Sequence, residues 1–191
     1  MATVGFEKAY IGILDKDGYA TKVHEINAME GGAIDAKISG LGAAMNTTYA
    51  SNVPFHVSAQ GTSNPKVDLS VADLPSKVYT DIMGAEKGED GIIKIGAKTR
   101  PPYVALILKS ADKDGNGLYL GFTKGKFTQD GGELKTQEDK GVELQTDSIT
   151  GEFIARGSDE YVFGKGSTAD PGFTPEKFKQ WIMPTKAGNT P

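Results

Sequence analysis

The string most typical of a chemical site is Asp112-Lys113-Asp114-Gly115-Asn116-Gly117, which matches the first half of a calcium-binding EF-hand loop. In such a loop, oxygens at positions 1, 3 and 5 surround the ion, and a glycine at position 6 allows a sharp turn. Position 12 should be a bidentate Glu, but it is Thr123, and the residues after Gly117 alternate like a strand. The string therefore predicts a hairpin turn, with weak adventitious Ca²⁺ binding as the alternative.

Other residues able to bind metals or perform catalysis are few and isolated. The chain has no Cys, and neither His24 nor His56 has a second His or a carboxylate at metal-ligand spacing. Asp15-Lys16-Asp17-Gly18 is a turn signal between β-rich runs and predicts a hairpin. Phosphate-binding loops, dinucleotide fingerprints and nucleophile elbows are absent from the sequence. We predict no cofactor, no metal site and no enzyme activity.

Length and charge limit the classes of protein further. The 191 residues fit one domain, 1–191, with an arm or two. The net charge of −4 gives no basic surface for stable nucleic-acid binding. We see no signal peptide, and the apolar runs are far shorter than the roughly 20 residues of a membrane-spanning helix. We expect a soluble protein that can fold in a reducing cytosol.

The elements that must position these residues are mainly strands. The 25 Gly and 9 Pro indicate many short strands joined by tight turns. Alternating or continuous apolar residues predict strands at 6–14, 19–26, 33–39, 67–71, 92–95, 103–109, 118–127, 142–156 and 160–163. Helices are predicted at 74–83, ending at Gly84, and at 175–183, with Thr174 as its N-cap. The sequence thus predicts a mostly β fold, a sandwich or barrel flanked by one short helix, with a short C-terminal helix.

Two segments stand apart from the alternating strands. Six consecutive apolar residues indicate a strand buried on both faces, in the core or at a subunit interface: Tyr103, Val104, Ala105, Leu106, Ile107 and Leu108. Residues 40–65 are poor in large apolar side chains and predict a long excursion with some strand character. Excursions of this length are usually functional or disordered.

The acidic side chains are concentrated in one segment. Residues 128–147 contain six acidic residues and two lysines, so this segment alone has a net charge of −4 and the rest of the chain is neutral overall. Glu143, Gln145 and Asp147 lie at alternate positions and therefore share one face of a strand. A solvated acidic loop is the default interpretation. The alternative is an acidic wall that repels a polyanion moving past it.

An ordered series of strings resembles the major tail (tail-tube) proteins of long-tailed, non-contractile bacteriophages, especially a family from phages of Gram-positive bacteria. The strings are VADLP at 71–75, PYVAL at 102–106, KS at 109–110, KGKF at 124–127, LKTQEDK at 134–140, ELQT at 143–146, GEFI at 151–154 and DPGFTP at 170–175. Their order and spacing are similar to the family over about residues 65–182.

The resemblance implies a structural virion protein, made in the cytoplasm of the host bacterium, whose hexameric rings stack into a tube that conducts the genome. It implies tape-measure and tail-tip or terminator proteins as partners, and DNA that passes through without stable binding. Residues 1–5 and 40–65 would be arms toward neighbouring rings, 66–165 the rest of the sandwich, and 166–191 a C-terminal arm.

Two expectations follow from this resemblance. Glu143, Gln145 and Asp147 would face the lumen, and Val104→Asp, which breaks the apolar strand, would prevent assembly. The alternative function is a β-sandwich module of a phage or surface protein that binds carbohydrate or a receptor. Against this alternative, the only tryptophan, Trp181, lies on the apolar face of a predicted helix rather than among exposed aromatics.

Overall fold

A computed structural model describes residues 3–50, 52–129, 131 and 146–186. The helices are α1 (Ser76–Met83) and α2 (Pro175–Ile182). The strands are β1 (Thr3–Leu14), β2 (Ala20–Ile26), β3 (Ala33–Ser39), β4 (Ala44–Ala50), β5 (Val53–Gln60), β6 (Lys66–Val71), β7 (Glu86–Lys87), β8 (Ile93–Lys94), β9 (Val104–Asp112), β10 (Gly117–Thr128), β11 (Asp147–Phe153) and β12 (Phe163–Ser167).

Eight strands form one antiparallel sheet in the order β2-β1-β9-β10-β11-β6-β3, with β12 also paired to β10. The twelve-residue β10 pairs with β12 through Leu118–Phe122 and with β11 through Gly125–Thr128. Its register with β9 shifts between Phe122 and Gly125, where the strand passes from one partner to the other. The sheet does not close, although β1 and β3 also pack against each other. This arrangement confirms the predicted mostly β, sandwich-like fold with two short helices.

The continuous apolar strand β9 has both faces buried. Val104, Leu106 and Leu108 belong to the larger core with α1, β6 and β11. Ala105 and Ile107 point to the opposite face, where they pack with α2. Because side chains alternate along a strand, a run that is apolar at every position fits only a strand covered on both sides.

The C-terminus of α1 and the N-terminus of α2 lie where their capping residues predict. Gly84 follows α1 with φ 64°, and its N–H donates to the carbonyl of Thr80. The Thr174 hydroxyl accepts from the N–H of Lys177 at the start of α2. Helix α1 begins at Ser76, two residues later than predicted, because Pro75 is extended at ψ 132°.

Helix α2 approaches the sheet closely over glycines. A Cβ added to Gly164 in β12 would lie 2.2 Å from the Trp181 ring, and one added to Gly121 in β10 would lie 2.6 Å from Ile182. The Trp181 ring therefore packs closely against β12 at Gly164. Its position depends on the absence of a side chain there.

Residues 40–65 form a β-hairpin that extends from the edge of the sheet. Among the described strands, β4 and β5 pair only with each other, and the hairpin leaves the sheet between β3 and β6, which are themselves paired. At its base, the Ser63 N–H lies within hydrogen-bonding distance of the carbonyls of Gly40 and Gly42, at 3.0 and 2.8 Å. The predicted strand character is present and extends over two strands.

The last strand lies later in the chain than predicted. Residues 160–162 belong to no strand, and β12 begins at Phe163. The Asp159 carboxylate accepts hydrogen bonds from Arg156 and from the N–H of Tyr161, and Glu160 has φ 60°. These contacts make a turn where the apolar residues alone indicated a strand.

We predict that Leu106→Ala lowers the free energy of unfolding by about 2–5 kcal/mol, because it leaves a cavity in the larger core. Ile95→Ala is the matched control, since that side chain is 59% exposed, and it should change stability by less than about 0.5 kcal/mol. Urea unfolding measures both values. A Leu106→Ala cost as small as the control would contradict the buried position of β9.

We predict that Gly164→Ala destabilises the protein by about 1–3 kcal/mol, because its methyl group collides with Trp181. Trp181 is the only tryptophan, so intrinsic fluorescence reports its displacement directly. Gly157→Ala is the control, because a Cβ there has no atom within 4 Å. Identical emission spectra and stabilities for the two variants would contradict the packing of α2.

Candidate assembly surfaces

The EF-hand-like string forms the turn between β9 and β10. Asp112 Oδ1 accepts from the N–H groups of Asp114 (2.9 Å) and Asn116 (2.8 Å), and Oδ2 accepts from the Asn116 side-chain amide (3.0 Å). These hydrogen bonds lower the pKa of the Asp112 carboxyl, and the bond from the Asn116 side chain has the largest effect. The predicted hairpin is confirmed. Within the described residues, no group of three or more His, Cys, Asp or Glu is arranged to hold a metal ion.

The histidines occupy separate places. His24 Nε2 lies 2.9 Å from an Asp81 carboxylate oxygen, and the Lys22 ammonium lies 3.2 Å from the same carboxylate. This cluster joins β2 to α1. His56 is exposed on β5. The structure does not bring the two histidines together.

The six-residue apolar segment lies inside the subunit, apart from its first residue. Val104 to Leu108 are buried, and β9 pairs with β1 on one side and β10 on the other, so its edges are both occupied. Tyr103 precedes the strand and is 39% exposed. The ammonium groups of Lys124 and Lys126 lie 4.3 and 4.7 Å from the centre of its ring, within cation–π range.

Only one of the three acidic or polar candidates can be placed. A carboxylate oxygen of Asp147, the first residue of β11, accepts from the Leu74 N–H at 2.9 Å and so holds the segment that leads into α1. Glu143 and Gln145 lie outside the described residues, as does most of the acidic segment. The common lumen face of these three residues stays a prediction.

The surfaces left open are sheet edges and exposed apolar side chains. Strands β2 and β3 stand at the two ends of the sheet order, so among the described strands each has a neighbour on one side only. Met45, Tyr49 and Val53 are exposed on the β4–β5 hairpin. Unpaired edges and exposed apolar groups are features that proteins normally cover by association or protect in other ways.

A pocket of about 530 Å³ opens beside the β1–β2 turn. It is lined by Leu14, Lys16, Asp17, Gly18, Tyr19, Lys124, Arg156, Gly157, Ser158, Gln180, Trp181 and Pro184. We call it the Trp181 pocket. The sequence pattern did not indicate it, because its walls come from four distant parts of the chain and no local pattern connects them.

The C-terminal segment is attached to the same β1–β2 turn. The Lys186 ammonium lies 2.9 Å from Asp15 and 3.1 Å from Asp17, over the ring of Tyr19. The pKa of Asp15 is lowered from its ordinary value, mainly by the hydrogen bond from Lys186 and next by the hydrogen bond from the Tyr19 backbone N–H. The same carboxylates raise the pKa of Lys186. No local pattern in the sequence indicates this contact between residues 15 and 186.

Comparison with known families identifies the class of protein to which this fold belongs. A family model described as phage tail tube protein matches residues 1–189, so this chain belongs to the phage tail tube protein family. The family places the protein in the virion tail, where it assembles into a tube with other tail proteins. A search of curated proteins finds no match. Neither described helix is long and apolar enough to cross a membrane.

We predict that Lys186→Gln raises the pKa of Asp15 toward its ordinary value, because the largest cause of its depression is removed. Because the pKa of Asp15 is lowered in the folded protein, the Lys186 contact stabilises the folded state at neutral pH. This stabilisation is lost as the pH falls through the pKa of Asp15. NMR titration of the carboxyl carbons measures the shift. Lys113→Gln, which removes an exposed lysine paired with Asp114, should leave Asp15 unchanged, and an unchanged Asp15 in Lys186→Gln would contradict the contact.

Proposed function

We propose that copies of this chain form hexameric rings, and that the rings stack into the hollow tail tube of a long-tailed, non-contractile phage of a Gram-positive host. The tube serves as a conduit for the genome. The observation that carries the proposal is an open eight-stranded sheet, with β2 and β3 at its ends, in a chain of the tail tube family. Ring closure covers such edges and leaves no template for unlimited aggregation.

The role is structural rather than enzymatic. Among the described residues, Asp15, Asp112 and His24 of the sequence motifs have hydrogen-bond partners within turns or between elements. Asp15 and Asp112 organise hairpins, while His24 and Asp81 join β2 to α1. A tape-measure protein in the lumen and terminator or tail-tip proteins at the tube ends are the other partners we infer. Synthesis takes place in the host cytoplasm, before incorporation into the virion.

The lumen carries acidic charge in this proposal. The chain has a net charge of −4, and the segment 128–147 contributes an excess of four acidic charges. A surface of this sign repels the phosphate backbone, so DNA moves through the tube without binding to it. Glu143, Gln145 and Asp147 are the side chains we assign to the lumen. A cryo-microscopy map of the tube in which these three side chains faced the outer solvent would contradict that assignment.

The β4–β5 hairpin is the arm toward the adjacent ring. It pairs with no other described strand of its own subunit and exposes Met45, Tyr49 and Val53 to solvent. Apolar side chains on a projecting hairpin are costly in water, and burial against the next ring removes that cost. The core does not need these side chains, so they can change without unfolding the subunit.

We predict that the double variant Tyr49→Asp with Val53→Asp folds with an unchanged melting temperature but does not form tubes, because charge replaces apolar contacts between rings. Negative-stain microscopy of the concentrated wild-type protein should show stacked rings or tubes. Lys113→Asp with Asp114→Lys, on the exposed β9–β10 turn, is the control and should assemble normally. Normal tubes from the hairpin variant would contradict its role, and a wild-type protein that remained monomeric and bound glycans would favour the carbohydrate-binding alternative.

A further inference from the structure

Met29 is held in solvent at the tip of a structured turn. Its side chain is fully exposed, at 101%. The turn follows β2, and the Asn27 side-chain oxygen accepts from the N–H groups of Met29 (2.9 Å) and Glu30 (3.0 Å). The Asn27 carbonyl accepts from Gly32 at 2.9 Å. A large apolar side chain is thus presented to water by a backbone that its own hydrogen bonds fix.

The surroundings of Met29 are acidic. Glu30 and Asp73 are both exposed, and the Asp73 N–H donates to the carbonyl of Gly31 at 3.1 Å, which places Asp73 against the same turn. In the part of the chain that the structure describes, neither carboxylate has a cation within ion-pair distance. We call Met29, Glu30 and Asp73 the Met29 knob.

The Trp181 pocket complements the Met29 knob in both its apolar surface and its charge. Leu14, Tyr19 and Trp181 give it apolar and aromatic walls, and Lys16 and Lys124 add positive charge. Neither lysine has an acidic partner among the described residues, and Lys124 instead lies over the ring of Tyr103. The other charged groups of the pocket are already neutralised, since Arg156 pairs with Asp159 and Asp17 pairs with Lys186. The pocket therefore favours an apolar group that carries negative charge beside it.

The knob and the pocket lie at opposite ends of one edge strand. Tyr19 immediately precedes β2 and Met29 follows it, so about 20 Å of strand separates them. A subunit cannot place its own knob in its own pocket across this distance. Two complementary surfaces at opposite ends of one molecule make a heterologous, head-to-tail contact that can repeat from copy to copy.

We infer that the Met29 knob of one subunit docks in the Trp181 pocket of a second copy of this chain in the adjacent ring. Met29 enters between the aromatic walls, while Glu30 and Asp73 face Lys16 and Lys124. The inference rests on the proposed function, because head-to-tail contacts join successive rings only if the subunits form a stacked tube. It adds a second ring-to-ring contact to that of the β4–β5 hairpin.

Disulfide trapping tests the contact cleanly, because the natural chain has no cysteine. Met29→Cys and Ser158→Cys each introduce one thiol, the first on the knob and the second on the pocket wall. Oxidised tubes of the double variant should give a ladder of covalent oligomers. A mixture of the two single variants should give dimers only, and each single variant alone should give none.

Met29→Cys with Lys113→Cys is the matched control pair. Because β1 runs antiparallel to both β2 and β9, the turn at Lys113 lies at the same end of the sheet as Met29. Head-to-tail contact keeps these two sites apart, so this pair should stay uncrosslinked. Tubes in which the Ser158 pair gave no more product than the control pair would overturn the docking and leave the proposed function intact. Wild-type protein that formed no rings or tubes would overturn both.

Charge reversal gives an independent readout of the same contact. Glu30→Lys should raise the protein concentration needed for tube assembly by about tenfold, because it places a cation against Lys16 and Lys124. Adding Lys16→Glu in the same chain should restore assembly most of the way. Glu30→Lys that assembled like the wild-type protein, or a double variant that assembled no better than the single one, would overturn the pairing.

Discussion

The whole subunit depends on the burial of one strand. Strand β9 has both faces covered, by the larger core on one side and by α2 on the other, and both of its edges are paired within the subunit. A strand in this position cannot also supply an interface. Val104→Asp, expected from the sequence to prevent assembly, would act by placing an unpaired charge in the core, so folding would fail first. Contacts between copies must therefore use other surfaces.

The remaining architecture follows from covering that strand. Strand β10 is long enough to pair with β9 along one edge and with both β12 and β11 along the other, which lets a single sheet turn around a core. Helix α2 covers the outer face, and glycines in β10 and β12 let it approach closely. The C-terminal segment beyond α2 is then directed to the β1–β2 turn, where Lys186 attaches it to Asp15 and Asp17.

Local signals predicted the parts of this fold that local chemistry decides. The two Asp-Lys-Asp-Gly turns, the Thr174 cap and the Gly84 terminus depend on hydrogen bonds within a few residues, so the sequence alone was sufficient. Contacts between distant segments could not be predicted. The Trp181 pocket, the Lys186 contact and the position of β12 depend on how strands lie in the sheet, and the Asp159 turn moved β12 along the chain against its apolar pattern. Glu143 and Gln145 lie outside the described residues, so that part of the candidate lumen face stays a prediction.

We propose that the subunit core is complete before assembly and that the tube is built from the edges and projecting turns of the subunit. Hydrogen–deuterium exchange of the free subunit and of the assembled tube tests it most directly. We expect the amides of Val104 to Leu108 to be equally protected in both states, while β2, β3 and the β4–β5 hairpin gain protection only in the tube. Rapid exchange of the β9 amides in the free subunit, with protection acquired on assembly, would contradict it.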